Sequence, residues 1–297
     1  MKKQIHFMSG VPRSGSTVLA AILNQNKHTH VSTTSGVVFA LDALANVWHS
    51  QGLLGENDKE RTKLSQTMGA VIDTFYEDVE EPVIIDKGRG WPIPTILSAM
   101  TQVLGEKPKI VATVRSIPDC MASFVRVAKP DDLDEFIYSG ILSTHLKASY
   151  IAIQTGYEFA PECFCIVEYE DLVADPEAQL ARIHEFLDLP DFDYDFTAID
   201  GTSVQEDDEE IHGYEGMHDI QPVLAKQHNE DPKDVLKNHY TTFCQPEFWL
   251  DKPRTTPELH DLDLQLTASR MGNFTEGWRL SRKLEQDEPN NHRAAYN

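Results

Sequence analysis

The stretch Met8-Ser9-Gly10-Val11-Pro12-Arg13-Ser14-Gly15-Ser16-Thr17 decides the fold. Gln4 to Met8 reads as a short strand, and Thr17 to Gln25 carries Val18, Leu19, Ile22 and Leu23 at helical spacing. Between them, Gly10 and Gly15 permit a backbone that turns successive N–H groups inward, with the positive end of the following helix behind them. Strand, glycine loop and helix in that order form a cradle for a phosphate or a sulfate group. The nucleotide-hydrolysing form of such a loop, G-x-x-x-x-G-K-[ST], has a lysine where this chain has Ser16, and Arg13 is the cation inside the loop. That difference weighs against metal-assisted phosphoryl transfer and toward transfer stabilised by a guanidinium. The bland alternative is a tight strand-to-helix turn with an exposed arginine.

The same alternation continues along the chain. Val37 to Trp48 and Leu64 to Tyr76 read as amphipathic helices, Pro82 to Asp86 as a buried strand, and Pro92 to Leu104 as a helix. A third strand, Lys109 to Val114, ends at Arg115, and a helix begins near Pro118. Leu133 to Thr155 reads as one long helix and Cys163 to Val167 as a fourth strand. Asp175-Pro176-Glu177 then opens a helix whose Leu180, Ile183, Phe186 and Leu187 face the sheet. Strands alternating with helices imply an α/β fold, a mostly parallel central sheet with helices on both faces.

The expectation is a single domain over residues 1–281, with a core over 1–190 and an irregular region over 191–281. A short helix is expected near Pro232 to Tyr240, and residues 282–297 read as a polar, disordered tail. The acidic run Glu206 to Glu210 reads as a solvated loop.

The 297 residues carry 26 basic and 48 acidic side chains, a net charge of −22, which disfavours nonspecific attachment to nucleic acid or an anionic membrane. A polyanionic ligand therefore needs a local cationic pocket. Cys120, Cys163, Cys165 and Cys244 form no C-x-x-C pair and read as reduced thiols, with Cys163 and Cys165 on one face of a strand. No apolar run reaches membrane-spanning length, so the expected location is cytoplasmic.

Two further clusters fall at the C-terminal ends of expected strands, the edge where open α/β sheets hold their ligands. One is Asp86-Lys87-Gly88-Arg89-Gly90-Trp91, two cations among glycines, in which Lys87 is expected to face the ligand and Trp91 to pack on the core. The other is Val114-Arg115-Ser116-Ile117-Pro118-Asp119-Cys120-Met121-Ala122-Ser123, where Arg115 suits bidentate phosphate contact and Ser123 lies about two turns into the next helix.

With these residues in view, the chain resembles the sulfotransferases that use 3′-phosphoadenosine 5′-phosphosulfate (PAPS), especially the branch that includes the protein-tyrosine sulfotransferases. Gly10 to Thr17 is similar to that family's 5′-phosphosulfate loop, and Arg115 with Ser123 is similar to its 3′-phosphate motif. Val167 to Pro190, which contains Tyr169-Glu170-Asp171-Leu172, is similar to the family's Y-E-D-L-x-x-D-P helix. The resemblance implies that Pro12, Arg13, Ser14, Gly15, Ser16, Thr17, Arg115 and Ser123 bind PAPS, with no metal required. It also implies in-line attack on sulfur by a hydroxyl or amine of a small-molecule, glycan or peptide acceptor. Arg13 and Lys87 are the expected catalytic cations, holding the charge that develops on the leaving oxygen.

The general base is where this chain departs from the family. The tyrosine-directed enzymes place a glutamate in a G-E-E-T stretch, and the small-molecule enzymes a histidine in K-T-H-x-P. This chain has Ser32-Thr33-Thr34-Ser35-Gly36 and Asp86-Lys87-Gly88-Arg89 at those places. Candidate bases are Asp86, His28, His30 and Glu168, the two histidines otherwise reading as loop residues. Glu170 and Asp171 are expected to cap or orient the helix that begins near Asp175. The alternatives are a small-molecule kinase using ATP and magnesium, and a nucleotide-binding protein that has lost its chemistry.

Overall fold

The computed structural model describes residues 3–50, 58–138, 141–204, 216, 218–225 and 230–250. Five strands, β1 (Gln4–Gly10), β2 (Thr29–Thr34), β3 (Val83–Lys87), β4 (Ile110–Val114) and β5 (Phe164–Glu168), form one sheet in the order β2-β3-β1-β4-β5. Every pairing is parallel. Successive residues feed opposite faces: Phe7, Ile84, Ile110 and Ala112 enter one apolar core, while Met8, Ile85 and Val111 enter the other. Both faces are dry, which is why β3 and β4 are buried along their whole length.

Helices α1 (Ser16–Leu23), α2 (Val37–Ser50), α3 (Asp58–Phe75), α4 (Pro94–Leu104) and α5 (Ile117–Ala128) follow the strands in turn. After them come α6 (Leu133–Tyr138), α7 (Ile141–Phe159), α8 (Tyr169–Ala174) and α9 (Pro176–Leu187). The first core is closed by α2 to α7, and the second by α1, α8 and α9. Where one long helix was expected over Leu133 to Thr155, two stand, with residues 139–140 between them outside the description, and α7 runs on to Phe159.

Two further expectations are revised. Residues 29–34 form a strand, so His30 lies on β2. Its outer edge is served by Asn24, whose amide accepts from Val31 N at 2.7 Å and donates to Val31 O at 3.0 Å, doing the work of a neighbouring strand. Cys163 sits in the 3₁₀ turn Pro161–Cys163 ahead of β5, so it does not share a strand face with Cys165. In the C-terminal region, the short helix Pro232–Leu236 and the turn Tyr240–Phe243 pack Leu236 and Phe243 into the first core. The acidic run 206–210 and the expected tail 282–297 lie outside the described residues. No helix among the described residues is long and apolar enough to cross a membrane.

Candidate functional site

From β1 the chain crosses to β2 on one side of the sheet, whereas from β4 it crosses to β5 on the other. The C-terminal ends of β1 and β4 therefore flank the switch point where α/β sheets open a crevice. The loop after β1 is drawn onto β4, since Val11 N donates to Thr113 O at 3.0 Å. Gly15 takes φ +87° as the N-cap of α1, so the free N–H groups of Ser16 and Thr17 open toward the crevice.

A cavity of about 390 Å³ occupies this edge. Of the residues expected to bind, Pro12, Arg13, Gly15, Ser16, Thr17, Arg115 and Ser123 line it. Arg13, itself at φ +67°, reaches across the crevice so that its Nε donates to Ser123 Oγ at 3.0 Å. Two motifs 110 residues apart thus meet in one hydrogen bond. Ser14 and Lys87 are placed differently. Ser14 is fully buried, its hydroxyl held within the loop by Val11 O at 2.6 Å and Thr113 Oγ1 at 2.7 Å. Lys87 is buried at the end of β3 and does not line the cavity.

Arg115 is 9% exposed at the end of β4. Its Nε donates to Glu170 Oε1 at 3.1 Å, and its guanidinium lies over the Tyr169 ring, 4.4 Å from the centroid. Glu170 is therefore the brace of Arg115, and the cap of α9 is Asp175, whose carboxylate accepts from Ala178 N at 3.0 Å. The expectation that Glu170 caps fails because the first turn of α8 carries its side chain back over β4 instead of forward to α9. Burial pushes the Glu170 carboxyl upward, and Arg115 opposes that rise.

None of the candidate bases lines the cavity. Asp86 is 1% exposed and accepts from Ser35 Oγ at 2.6 Å, from Trp91 Nε1 at 2.8 Å and from the Tyr76 hydroxyl. Its carboxyl is raised by burial, against the pull of those donors. The group ties the start of α2, the end of α3 and the loop after β3 to one point, and Trp91 packs as expected, 1% exposed. Glu168 is buried with Trp249 Nε1 3.3 Å away, His28 is on an exposed turn, and His30 stacks edge-on near Tyr76.

The cavity wall also holds Arg89, Arg126, His145 and His218. With Arg13 and Arg115 that makes four arginines, facing one lining acid among the described residues, Asp219, in a chain of net charge −22. Arg126 lies three residues beyond Ser123 on α5, and its Nη1 is buried without a hydrogen-bond partner among the described residues. Burial lowers its pKa, and the nearby Arg115 lowers it further. A locally cationic pocket thus stands inside an acidic protein, which suits a polyanionic ligand.

Residues 97–194, from α4 to just past α9, match the model of the sulfotransferase family. Protein-tyrosine sulfotransferase A of Caenorhabditis elegans is 27% identical over 197 residues, 62% of this chain and 50% of that protein, so the chain spans about half the length of this relative. Among solved structures, the sulfotransferase domain of the Synechococcus PCC 7002 olefin synthase is 20% identical and aligns with a TM-score of 0.48 over 85% of this chain and 98% of that one. The sulfotransferase domain of the curacin biosynthetic pathway is 16% identical, with a TM-score of 0.45 over 92% and 98% of the two chains.

Proposed function

We propose that this chain is a member of the sulfotransferase family, whose model matches residues 97–194, and that it transfers the sulfuryl group of PAPS to a hydroxyl or amine acceptor at the crevice between β1 and β4. The observation that carries the reading is the contact of Arg13 with Ser123 inside a cavity walled by four arginines. It joins the loop assigned to the 5′ end of the donor and the motif assigned to its 3′-phosphate.

The residues fit such a donor. The N–H groups of Ser16 and Thr17 and the positive end of α1 suit the 5′ phosphosulfate, while Arg115 and the Ser123 hydroxyl suit the 3′-phosphate. PAPS supplies the sulfuryl group and leaves as adenosine 3′,5′-bisphosphate. Arg13 stands where a fixed guanidinium can hold the negative charge that grows on the departing oxygen, a role that is effective because the group is oriented before the reaction. Glu170 keeps Arg115 pointing at its phosphate. Lys87 is buried at the end of β3 outside the cavity wall, so Arg13 is the cation assigned to the leaving oxygen.

Calorimetric titration with adenosine 3′,5′-bisphosphate and with ATP-Mg tests the reading. Tighter binding of the bisphosphate, followed by release of bisphosphate from PAPS in the presence of acceptors, is the expected result. Preference for ATP-Mg would overturn it in favour of a kinase, and binding without turnover in favour of a binding protein.

A further inference from the structure

Sulfuryl transfer to a hydroxyl needs a group to take the acceptor's proton, and none of Asp86, His28, His30 and Glu168 reaches the cavity. Among the described residues two imidazoles do, His145 and His218. They stand on different walls. His218 lies in the segment 218–225, whose Ile220 and Leu224 pack toward the second core, on the α1 side of the sheet. His145 is in the second turn of α7, which packs against α4, α5 and β1 on the other side.

Three features favour the α7 wall. The Arg13 guanidinium, the cation assigned to the leaving oxygen, is drawn to that side by its bond to Ser123 on α5. Helix α7 ends just before β5 begins and runs counter to the parallel strands, which leaves its first turns at the ligand edge of the sheet. The helix is also firmly seated: a Cβ at Gly156 would lie 2.1 Å from the Pro92 carbonyl oxygen, so α7 rests directly on the backbone of the loop after β3. An imidazole carried by such a helix is pre-positioned, as proton transfer requires.

The structure assigns the role of proton acceptor to His145, an inference that rests on the sulfotransferase reading above. As the acceptor oxygen bonds to sulfur, the bond from sulfur to the bridging phosphate oxygen breaks and bisphosphate departs with that electron pair. The acceptor's proton passes to the neutral imidazole, and the imidazolium returns it to solvent. The base thereby stands on a helix of the cavity wall and not in Ser32–Gly36 or Asp86–Arg89, the stretches to which the resemblance pointed.

The test uses the full chain with His145→Gln, His145→Asn and His218→Gln. Bisphosphate release from PAPS is followed with water, 4-ethylphenol and 4-nitrophenol as acceptors. Loss of a general base costs about a hundredfold where the proton must be removed, so both His145 variants should fall by that much with 4-ethylphenol and water. The loss should be under about fivefold with 4-nitrophenol, which ionises near neutral pH. A second readout needs no turnover. With bisphosphate bound, at a pH where free 4-nitrophenol is mostly protonated, the native protein should show the phenolate absorbance band, and both His145 variants should lose it while binding bisphosphate within about twofold of native.

Equal losses with both phenols, turnover retained in the His145 variants, or transfer of these effects to His218→Gln would overturn the assignment. So would a phenolate band that survives His145→Gln. Failure of the native chain to bind bisphosphate or cleave PAPS overturns the sulfotransferase reading itself, whereas normal binding with unaffected His145 variants overturns only the choice of base.

Discussion

A side chain at Gly15 would meet two penalties at once. The residue holds φ +87°, and a Cβ there would lie 2.7 Å from the Tyr169 ring that supports Arg115. Gly15→Ala should therefore cost at least about 1–2 kcal/mol in chemical denaturation, and its bisphosphate affinity should fall as Tyr169 is displaced. A variant as stable as native would contradict the left-handed cap. The two arginines should separate by kinetics. Under the proposed assignment Arg115 would face the 3′-phosphate in ground and transition states alike, so Arg115→Ala should weaken bisphosphate binding about thirtyfold. Arg13, in the proposed role, would meet charge that appears only during transfer, so Arg13→Ala should lower kcat about a hundredfold with binding within about threefold. Identical profiles for the two variants would refute the division. At this scale the loop was legible because glycines, an arginine and a following helix leave few other structures open to it. The inward turn of Ser14 was not legible, since its hydroxyl answers to Thr113, 99 residues away. Arg126 and His145 were equally hidden, because a lone cation or imidazole on a helix carries no local sign of what its face will meet.

Among the elements, α9 is the plainest case of a local signal that survives folding. Asp175 precedes Pro176, its carboxylate accepts from Ala178 N at 3.0 Å, and Leu180, Ile183 and Leu187 recur on the buried side. Asp175→Ala should lower stability by about 1 kcal/mol, and Asp175→Ser should recover most of it, as read by urea midpoints. No change in either would mean that packing alone fixes the helix start. Four of the five strands announced themselves as apolar runs. The fifth, β2, is Thr-His-Val-Ser-Thr-Thr, an edge strand with a single aliphatic residue, so no alternation of apolar and polar residues marks it. Its ladder is held by polar side chains: Ser32 Oγ accepts from Lys87 N at 2.8 Å where the register shifts, and Asn24 serves the open edge. Lys87 lies 55 residues from Ser32 and Asn24 stands outside the strand at the end of α1, so neither leaves a mark within the six residues of β2.

Across the whole molecule, the two ends of the sheet carry different electrostatics. The ligand edge gathers arginines, while near the opposite edge His6 lies 5% exposed between the cores, within 2.8 Å of Gln4 Nε2 and close to the Lys109 and Asp188 pair. Burial, reinforced by the Lys109 ammonium, holds the His6 imidazole at about 4, against 6.5 when unfolded. The unfolded chain therefore binds a proton at this site below 6.5, and the folded protein only near 4. Stability from His6 is complete at neutral pH, declines as pH falls through that window, and is fully lost below it. Many carboxylates titrate in the same range in a chain of net charge −22, so the native profile alone does not isolate the effect. Subtracting the profile of His6→Gln does, because every other group is common to both proteins. Between pH 7 and pH 4.5 the native chain should lose about 2 kcal/mol more than His6→Gln in urea denaturation. Parallel profiles would place the proton on His6 in the folded protein and remove buried, neutral imidazole from the account of how this sheet is held at its far end.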